Sequence, residues 1–214
     1  MQGFVKAGYV GVSLSAFALL ARKVRGGTTG EIDERLTRRL QRIEDPTFDK
    51  VMHAVSWPGF PPQSRTIPWG LPLSMLAAGR PLEATFQLLG WGTGGISGLV
   101  KRIMKRPRPD LDGIAVAPAR ISGSSFPSGH VIIYTGVYGF LAYLAHCHVH
   151  NGFLRRMITG GLAGLIALVG PSRVYLGHHW ASDVTASYLL GTSYLTILTS
   201  FYQRSRRKRA SSRA

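Results

Sequence analysis

Residues 157–201, MITGGLAGLIALVGPSRVYLGHHWASDVTASYLLGTSYLTILTSF, hold two apolar runs, Met157–Val169 and Val184–Phe201, on either side of a polar stretch. That stretch, Ser172–Asp183, packs a fixed cation, two imidazoles and a carboxylate into twelve residues. If the second run is a helix, His179 and Asp183 stand at i and i+4, so the carboxylate can hydrogen-bond the imidazole and hold it in one tautomer. An oriented histidine beside Arg173 is a candidate nucleophile for a phosphorylated substrate. His178 lies five residues from Asp183, off that helical face, and reads as supporting or exposed.

The same alternation of apolar run and polar connection continues toward the N-terminus. Four more apolar segments are marked, Phe4–Ala21, Ile67–Ala78, Ala84–Val100 and Val131–Leu144. Several are shorter than the ~20 residues a membrane span needs, so their polar ends must continue as helix into the interface. The Ile67–Ala78 segment holds Pro68 and Pro72 and is short enough for a core or re-entrant helix. The composition agrees with a membrane bundle: 45% of residues are hydrophobic, 17% are charged, and there are 26 glycines. Glycine is more frequent in membrane helices than in soluble ones. The expected fold is all-α, an integral membrane six-helix bundle in one domain over residues 1–214, with its core at about 46–203. A net charge of +16 would also attract nucleic acid, but long apolar segments separate the basic clusters and no nucleic-acid motif is present. The single Cys147 excludes an internal disulfide.

Lys6 ahead of an apolar run resembles a signal peptide, yet no clean cleavage pattern follows and Arg22, Lys23 and Arg25 come directly after it, so a retained first span is expected. Between the first two segments, Ile32, Leu36, Leu40 and Ile43 fall at helical spacing among Arg35, Arg38, Arg39 and Arg42. This predicts an amphipathic helix lying in the interface. The glycines at 90, 92, 94, 95 and 98 and at 160, 161 and 164 predict that the third and fifth segments pack centrally, because small residues let helices approach closely. The run 204–214 reads as a disordered basic tail against anionic headgroups. Exactly two spans separate the loop after the third segment from the loop after the fifth, so both lie on one membrane face. The opposite face holds Arg80, Arg155, Arg156 and the tail, which marks it as cytoplasmic in a multi-pass protein of the cell membrane. The two loops then face outward.

Those loops carry further chemistry. Lys101 and Arg108 are seven residues apart, about two turns, and point the same way if helix persists to nearly the first proline of Pro107 and Pro109. The sequence Phe126-Pro127-Ser128-Gly129-His130 precedes the fourth apolar segment. A helix beginning there presents free N–H groups to an anion, with Ser128 adding a hydroxyl, Gly129 permitting close approach, and His130 standing as a candidate proton donor. No carboxylate cluster able to hold Mg²⁺ is visible, so neither metal nor cofactor is expected. His146, His148 and His150 alternate around Cys147, but they lie on the other face and read as a polar helix end.

Taken together, Lys101…Arg108-Pro109, Pro127-Ser128-Gly129-His130 and Ser172-Arg173…His179…Asp183 resemble the three motifs of the type 2 phosphatidic acid phosphatase family, K-x6-R-P, P-S-G-H and S-R-x5-H-x3-D. All three match without a departure, and their order and the six-segment layout match over nearly the whole chain. The resemblance implies that His179 attacks phosphorus to form a phosphohistidine, with Asp183 orienting it. His130 would protonate the leaving oxygen and then activate water. Lys101, Arg108, Ser128, Gly129 and Arg173 would hold the phosphoryl oxygens. The implied activity is metal-independent hydrolysis of a lipid phosphomonoester or diphosphate such as phosphatidic acid, phosphatidylglycerol phosphate or a polyprenyl diphosphate. The alternatives are a phosphotransferase, a haloperoxidase with a similar vanadate site, which the membrane segments disfavour, and a catalytically silent lipid-binding protein of the same fold. The implied partners are a lipid phosphate and the bilayer, without nucleic acid; the sequence leaves the oligomeric state open.

Overall fold

The computed structural model describes residues 2–117 and 121–212. Among them are nine α-helices and no strand: α1 (Gln2–Arg25), α2 (Gly30–Gln41), α3 (Pro46–Ser56), α4 (Gln63–Ala77), α5 (Pro81–Leu89), α6 (Gly92–Met104), α7 (Gly129–His148), α8 (Gly152–Tyr175) and α9 (Ala181–Ser211). A 3-10 turn, Trp57–Gly59, follows α3. Three helices, α1, α7 and α8, are long and apolar enough to cross a membrane by length and composition. With α4, the consecutive pair α5–α6, and α9, they correspond to the six apolar segments of the sequence.

The second apolar segment is a full helix despite Pro68 and Pro72, both of which are buried inside α4. The third is broken at Gly90-Trp91 into α5 and α6. At that break the backbone presses on α7: a Cβ on Gly136 would run into the Gly90 carbonyl and the Thr93 side chain. This is the close approach that small residues permit in lipid. The fifth segment departs from its expected central place. Gly160 and Gly161 are exposed, and none of Gly160, Gly161 and Gly164 has a foreign atom within 4 Å of a built Cβ. The centre belongs instead to α7, whose Val131, Tyr134, Val137 and Tyr138 pack with Val169 and Val174 of α8 and Val184 of α9. Large apolar side chains such as Phe4, Leu73, Leu99, Phe153, Met157 and Phe201 point outward, as a lipid-facing surface requires.

The amphipathic stretch forms two helices, α2 and α3. In α2 the apolar Ile32 and Leu36 are exposed, while Asp33 and Thr37 are 1% and 0% exposed. Asp33 and Thr37 thus face the protein while Ile32 and Leu36 look outward, as Glu31, Arg35 and Arg39 do, and Leu40 packs on the core. The basic run from Arg204 is helix as far as Ser211 rather than a disordered tail. It holds Arg, Lys, Ser and Ala with no Gly or Pro to stop the helix of α9 from continuing; residues 213–214 lie outside the described residues.

Candidate active site

The three motif segments converge where α6 ends, α7 and α9 begin, and α8 ends. α6 stops at Met104 because Lys105 takes the left-handed conformation, φ 45°, with its N–H on the Lys101 carbonyl. Helix therefore does not carry Lys101 and Arg108 onto one face, as the spacing suggested. A turn brings them together instead: Lys101 Nζ donates to the Ser124 carbonyl at 2.5 Å and Arg108 Nη2 reaches the same oxygen at 3.4 Å. The stretches 109–117 and 121–128 carry no helix, and α2 fastens the first of them, where Arg38 donates to the Asp112 carbonyl at 2.8 Å and Gln41 to the Ala115 carbonyl at 2.8 Å.

The turn after α8 sets the histidines. Gly177 holds φ +67°, a conformation other residues adopt at a steric cost, and the chain reverses there so that His178 and His179 both point inward at 2% exposure. His179 Nδ1 donates to the Ser125 carbonyl at 2.8 Å. That bond leaves Nε2 unprotonated, and its lone pair accepts from Arg108 Nη1 at 3.3 Å. The Asp183 carboxylate, expected to hydrogen-bond His179, lies 3.6 Å from Nδ1. Its oxygens are taken by the Trp180 N–H at 2.9 Å and Arg106 Nη1 at 2.5 Å. Ser125 is thus the hydrogen-bonding partner of the imidazole, and Asp183 stands beside it without a hydrogen bond to it.

Arg173 is fully buried and donates to Ser56 Oγ at 3.1 Å and His178 Nδ1 at 2.5 Å, with its guanidinium 5.0 Å from the centre of the Phe60 ring. His178 completes this hold by donating Nε2–H to the Ala117 carbonyl at 3.2 Å, so it is buried and supporting, not exposed. Ser128 stands at the N-cap of α7 but makes no side-chain cap bond, and Gly129, next to it, has open space in front. The α7 N-terminus therefore offers unpartnered N–H groups and a hydroxyl. His130, in the first turn, sits edge-on to Phe60 with ring centres 5.1 Å apart.

Four buried polar atoms of these residues lack any hydrogen-bond partner: Arg108 Nε, Ser128 Oγ, His130 Nε2 and Arg173 Nε. Buried polar groups are almost always paired, so a cluster left unpaired on one site is the signature of a place reserved for a ligand. The ligand must bring several acceptor oxygens, as a phosphoryl group does.

Sequence reasoning passed over Arg106, Asp33, Ser56, Ser125 and Gly59. Arg106 joins Asp183 to Asp33 of α2, donating to Asp33 Oδ2 at 2.7 Å, and Asp33 in turn accepts from the Ser182 N–H at 2.8 Å and its hydroxyl at 2.6 Å. The only signal for Arg106 was the doubled Arg-Pro of Arg106-Pro107-Arg108-Pro109. Gly59 lies against the His130 ring so closely that a Cβ there would overlap it. Gly59→Ala is expected to displace His130 and lower kcat by about 100-fold, the scale of a 1 Å misplacement, with little change in thermal stability. Steady-state kinetics beside a thermal melt checks both halves.

The two histidines also impose a pH dependence. Burial, then the Arg173 guanidinium, pushes His178 from an ordinary 6.5 down to about 4. Burial followed by Arg108 and Arg173 pushes His179 well down as well. Below pH 6.5 the unfolded chain takes up protons that the folded one refuses, so stability is full above 6.5 and falls as the pH drops toward 4. The unfolding midpoint is expected to be lower at pH 5 than at pH 7, and His178→Gln is expected to shrink that difference.

The sequence profile of the PAP2 superfamily matches residues 84–207. Over 209 residues, 94% of this chain and 98% of the relative, the sequence is 29% identical to phosphatidylglycerophosphatase B of Bacillus subtilis (strain 168). It is 32% identical over 111 residues to decaprenylphosphoryl-5-phosphoribose phosphatase of Mycobacterium tuberculosis (strain ATCC 25618 / H37Rv), covering 49% of this chain and 52% of that one. The crystal structure of a transmembrane PAP2 type phosphatidylglycerolphosphate phosphatase from Bacillus subtilis superposes with a TM-score of 0.78 at 25% identity, over 91% of this chain and 96% of that chain. Aquifex aeolicus LpxE shares the fold with a TM-score of 0.63 at 20% identity, over 79% of this chain and 95% of that one. The profile spans more than half of the chain and takes in every motif residue that meets at the site, so the chain belongs to the PAP2 superfamily, as one of its membrane lipid phosphatases.

Proposed function

We propose that the chain hydrolyses the phosphomonoester or diphosphate of a membrane lipid through a phosphohistidine on His179, at the extracytoplasmic face of the cell membrane. One observation carries this reading: unpaired buried donors on Arg108, Arg173 and Ser128 stand around an imidazole whose unprotonated Nε2 is held only by Arg108, a contact that an incoming phosphoryl oxygen would take over. With Lys101, the Gly129 N–H and the α7 N-terminus, they cradle the three non-bridging oxygens. Positioning and charge stabilisation of this kind carry most of phosphoryl transfer.

In the first step His179 Nε2 bonds to phosphorus as the bond to the leaving oxygen breaks, and His130, protonated once the phosphoryl charge stands beside it, gives its proton to that oxygen. In the second, neutral His130 takes a proton from water, the resulting oxygen bonds to phosphorus, and the P–N bond breaks to return His179. Asp183 stabilises the positive charge on His179 while the P–N bond exists.

The lipid body has a place beside this centre. A cavity of about 300 Å³ between α4 and α7 runs from His130 past Ile133 and Val137 to Tyr138, with Pro58 and Pro68 opposite. An acyl or prenyl chain lying there keeps its phosphate at His179. Phosphatidic acid, phosphatidylglycerol phosphate and polyprenyl diphosphates all meet these requirements, since the residues above contact the phosphoryl group alone. The outward orientation rests on Arg80, Arg155, Arg156 and the basic end of α9 lying at the other face.

The test is phosphate release by purified protein in detergent across these three substrates with EDTA present. Release from at least one lipid phosphate, undiminished by EDTA, is expected. Binding without release, or transfer to an added alcohol in place of water, would overturn the hydrolase reading in favour of a silent lipid binder or a phosphotransferase.

A further inference from the structure

At the end of the bundle away from the catalytic loops, α1 and α9 part around a cavity of about 620 Å³. The two helices run antiparallel, joined by Tyr9 to Thr192 at 2.8 Å and by Ser13 to the Leu189 carbonyl at 3.1 Å. The apolar side of the cavity includes Val10, Ile197 and Phe201, and its rim holds Lys6, Arg204 and Arg207, with no Asp or Glu among the lining residues. Two of the cations are fixed at the mouth. Lys6 Nζ donates to Gln203 Oε1 at 3.1 Å, and the Arg204 guanidinium sits 5.9 Å from the centre of the Phe201 ring. Twenty residues of α9 separate Asp183 from Gln203, about 30 Å of helix. That is the thickness of the hydrocarbon core. When the catalytic residues lie at one headgroup level, the three cations lie at the other.

We propose that this cavity binds one anionic phospholipid of the leaflet opposite the catalytic site, its phosphodiester among Lys6, Arg204 and Arg207 and an acyl chain along Val10, Ile197 and Phe201. Three cations with no carboxylate select against a lipid of zero net charge, and the apolar wall selects against a free polyanion. A lipid held there is not a substrate, because no group of the catalytic site reaches it. It would instead bridge α1, which lies outside the matched profile, to α9, which carries Asp183.

The test titrates purified protein in neutral detergent with dioleoylphosphatidylglycerol or dioleoylphosphatidylcholine and follows the unfolding midpoint. Phosphatidylglycerol is expected to raise the midpoint and phosphatidylcholine to leave it unchanged. In the triple variant Lys6→Gln/Arg204→Gln/Arg207→Gln, the apparent affinity for phosphatidylglycerol is expected to fall at least ten-fold. Gly11→Phe, which fills the apolar space from α1 and leaves every charge in place, is expected to give the same loss. Should the triple variant fail to keep native helical circular dichroism, Gly11→Phe alone decides. Phosphatidylglycerol bound at the catalytic site would be unaffected by either change, so undiminished affinity in the folded variants overturns the proposal, as does equal response to the two lipids.

Discussion

Alanine at position 179 is expected to lower kcat by on the order of 10⁵ and to abolish the covalent intermediate, because the substitution removes the nitrogen proposed to attack phosphorus. His130→Ala is expected to behave differently, and the contrast is the sharper test. A substrate with a nitrophenolate leaving group needs no proton from His130, so the first step still runs, while the second loses the base that activates water. The variant is expected to release one equivalent of nitrophenol in a burst and to stall with phosphate on His179. Rapid quenching at alkaline pH with ³²P-labelled substrate reads both outcomes, since a phosphohistidine survives alkali and is lost in acid. Turnover in His179→Ala at the wild-type rate would sink the mechanism. Equal phosphoenzyme in wild type and His130→Ala would remove His130 from the second step.

The residues at stake in that experiment were legible from sequence because each motif is short and local structure fixes its geometry. Pro127-Ser128-Gly129-His130 had to open a helix, and α7 begins at Gly129. His179 and Asp183 were expected on one helix, but α9 begins only at Ala181, and the two stand 3.6 Å apart without a hydrogen bond. Where the reading failed, chain continuation or solvent was the wrong assumption. Extending helix through Lys101–Arg108 missed the left-handed turn at Lys105, and with it the direction in which Arg106 points. Reading α2 by its apolar and arginine spacing alone passed over Asp33, which is buried against the site although Arg35 and Arg39 of the same helix are exposed. Reading the α8 glycines as packing residues overlooked that a glycine in lipid also occurs where nothing packs. Tertiary partners supplied by backbone, the Ser124 and Ser125 carbonyls above all, leave no mark on side-chain chemistry and so no signal in a sequence.

Arg106→Ala is expected to be the most disruptive substitution outside the three motifs' named positions. Arg106 is the cation between two carboxylates, Asp33 at 1% and Asp183 at 0% exposure, with bonds of 2.7 and 2.5 Å. Removing one partner of a buried ionic network leaves uncompensated charge and costs about 3–5 kcal/mol. Here two carboxylates lose the same partner, and one of them is the group proposed to steady His179. Stability is therefore expected to fall by that amount, and kcat by on the order of 100-fold or more in whatever fraction stays folded, because a protonated Asp183 no longer opposes the charge of a phosphohistidine. Asp33→Asn in the Arg106→Ala background separates the two effects. It removes the second buried charge and should restore part of the thermal stability, whereas kcat should stay low since Asp183 still lacks its cation. Arg106→Lys keeps one charge but not the fork that spans both carboxylates, and it should fall between wild type and alanine in both measurements. An Arg106→Ala protein that melts and turns over like wild type would show that Asp183 needs no partner, and α2 would then be a cover over the site with no part in holding its charge.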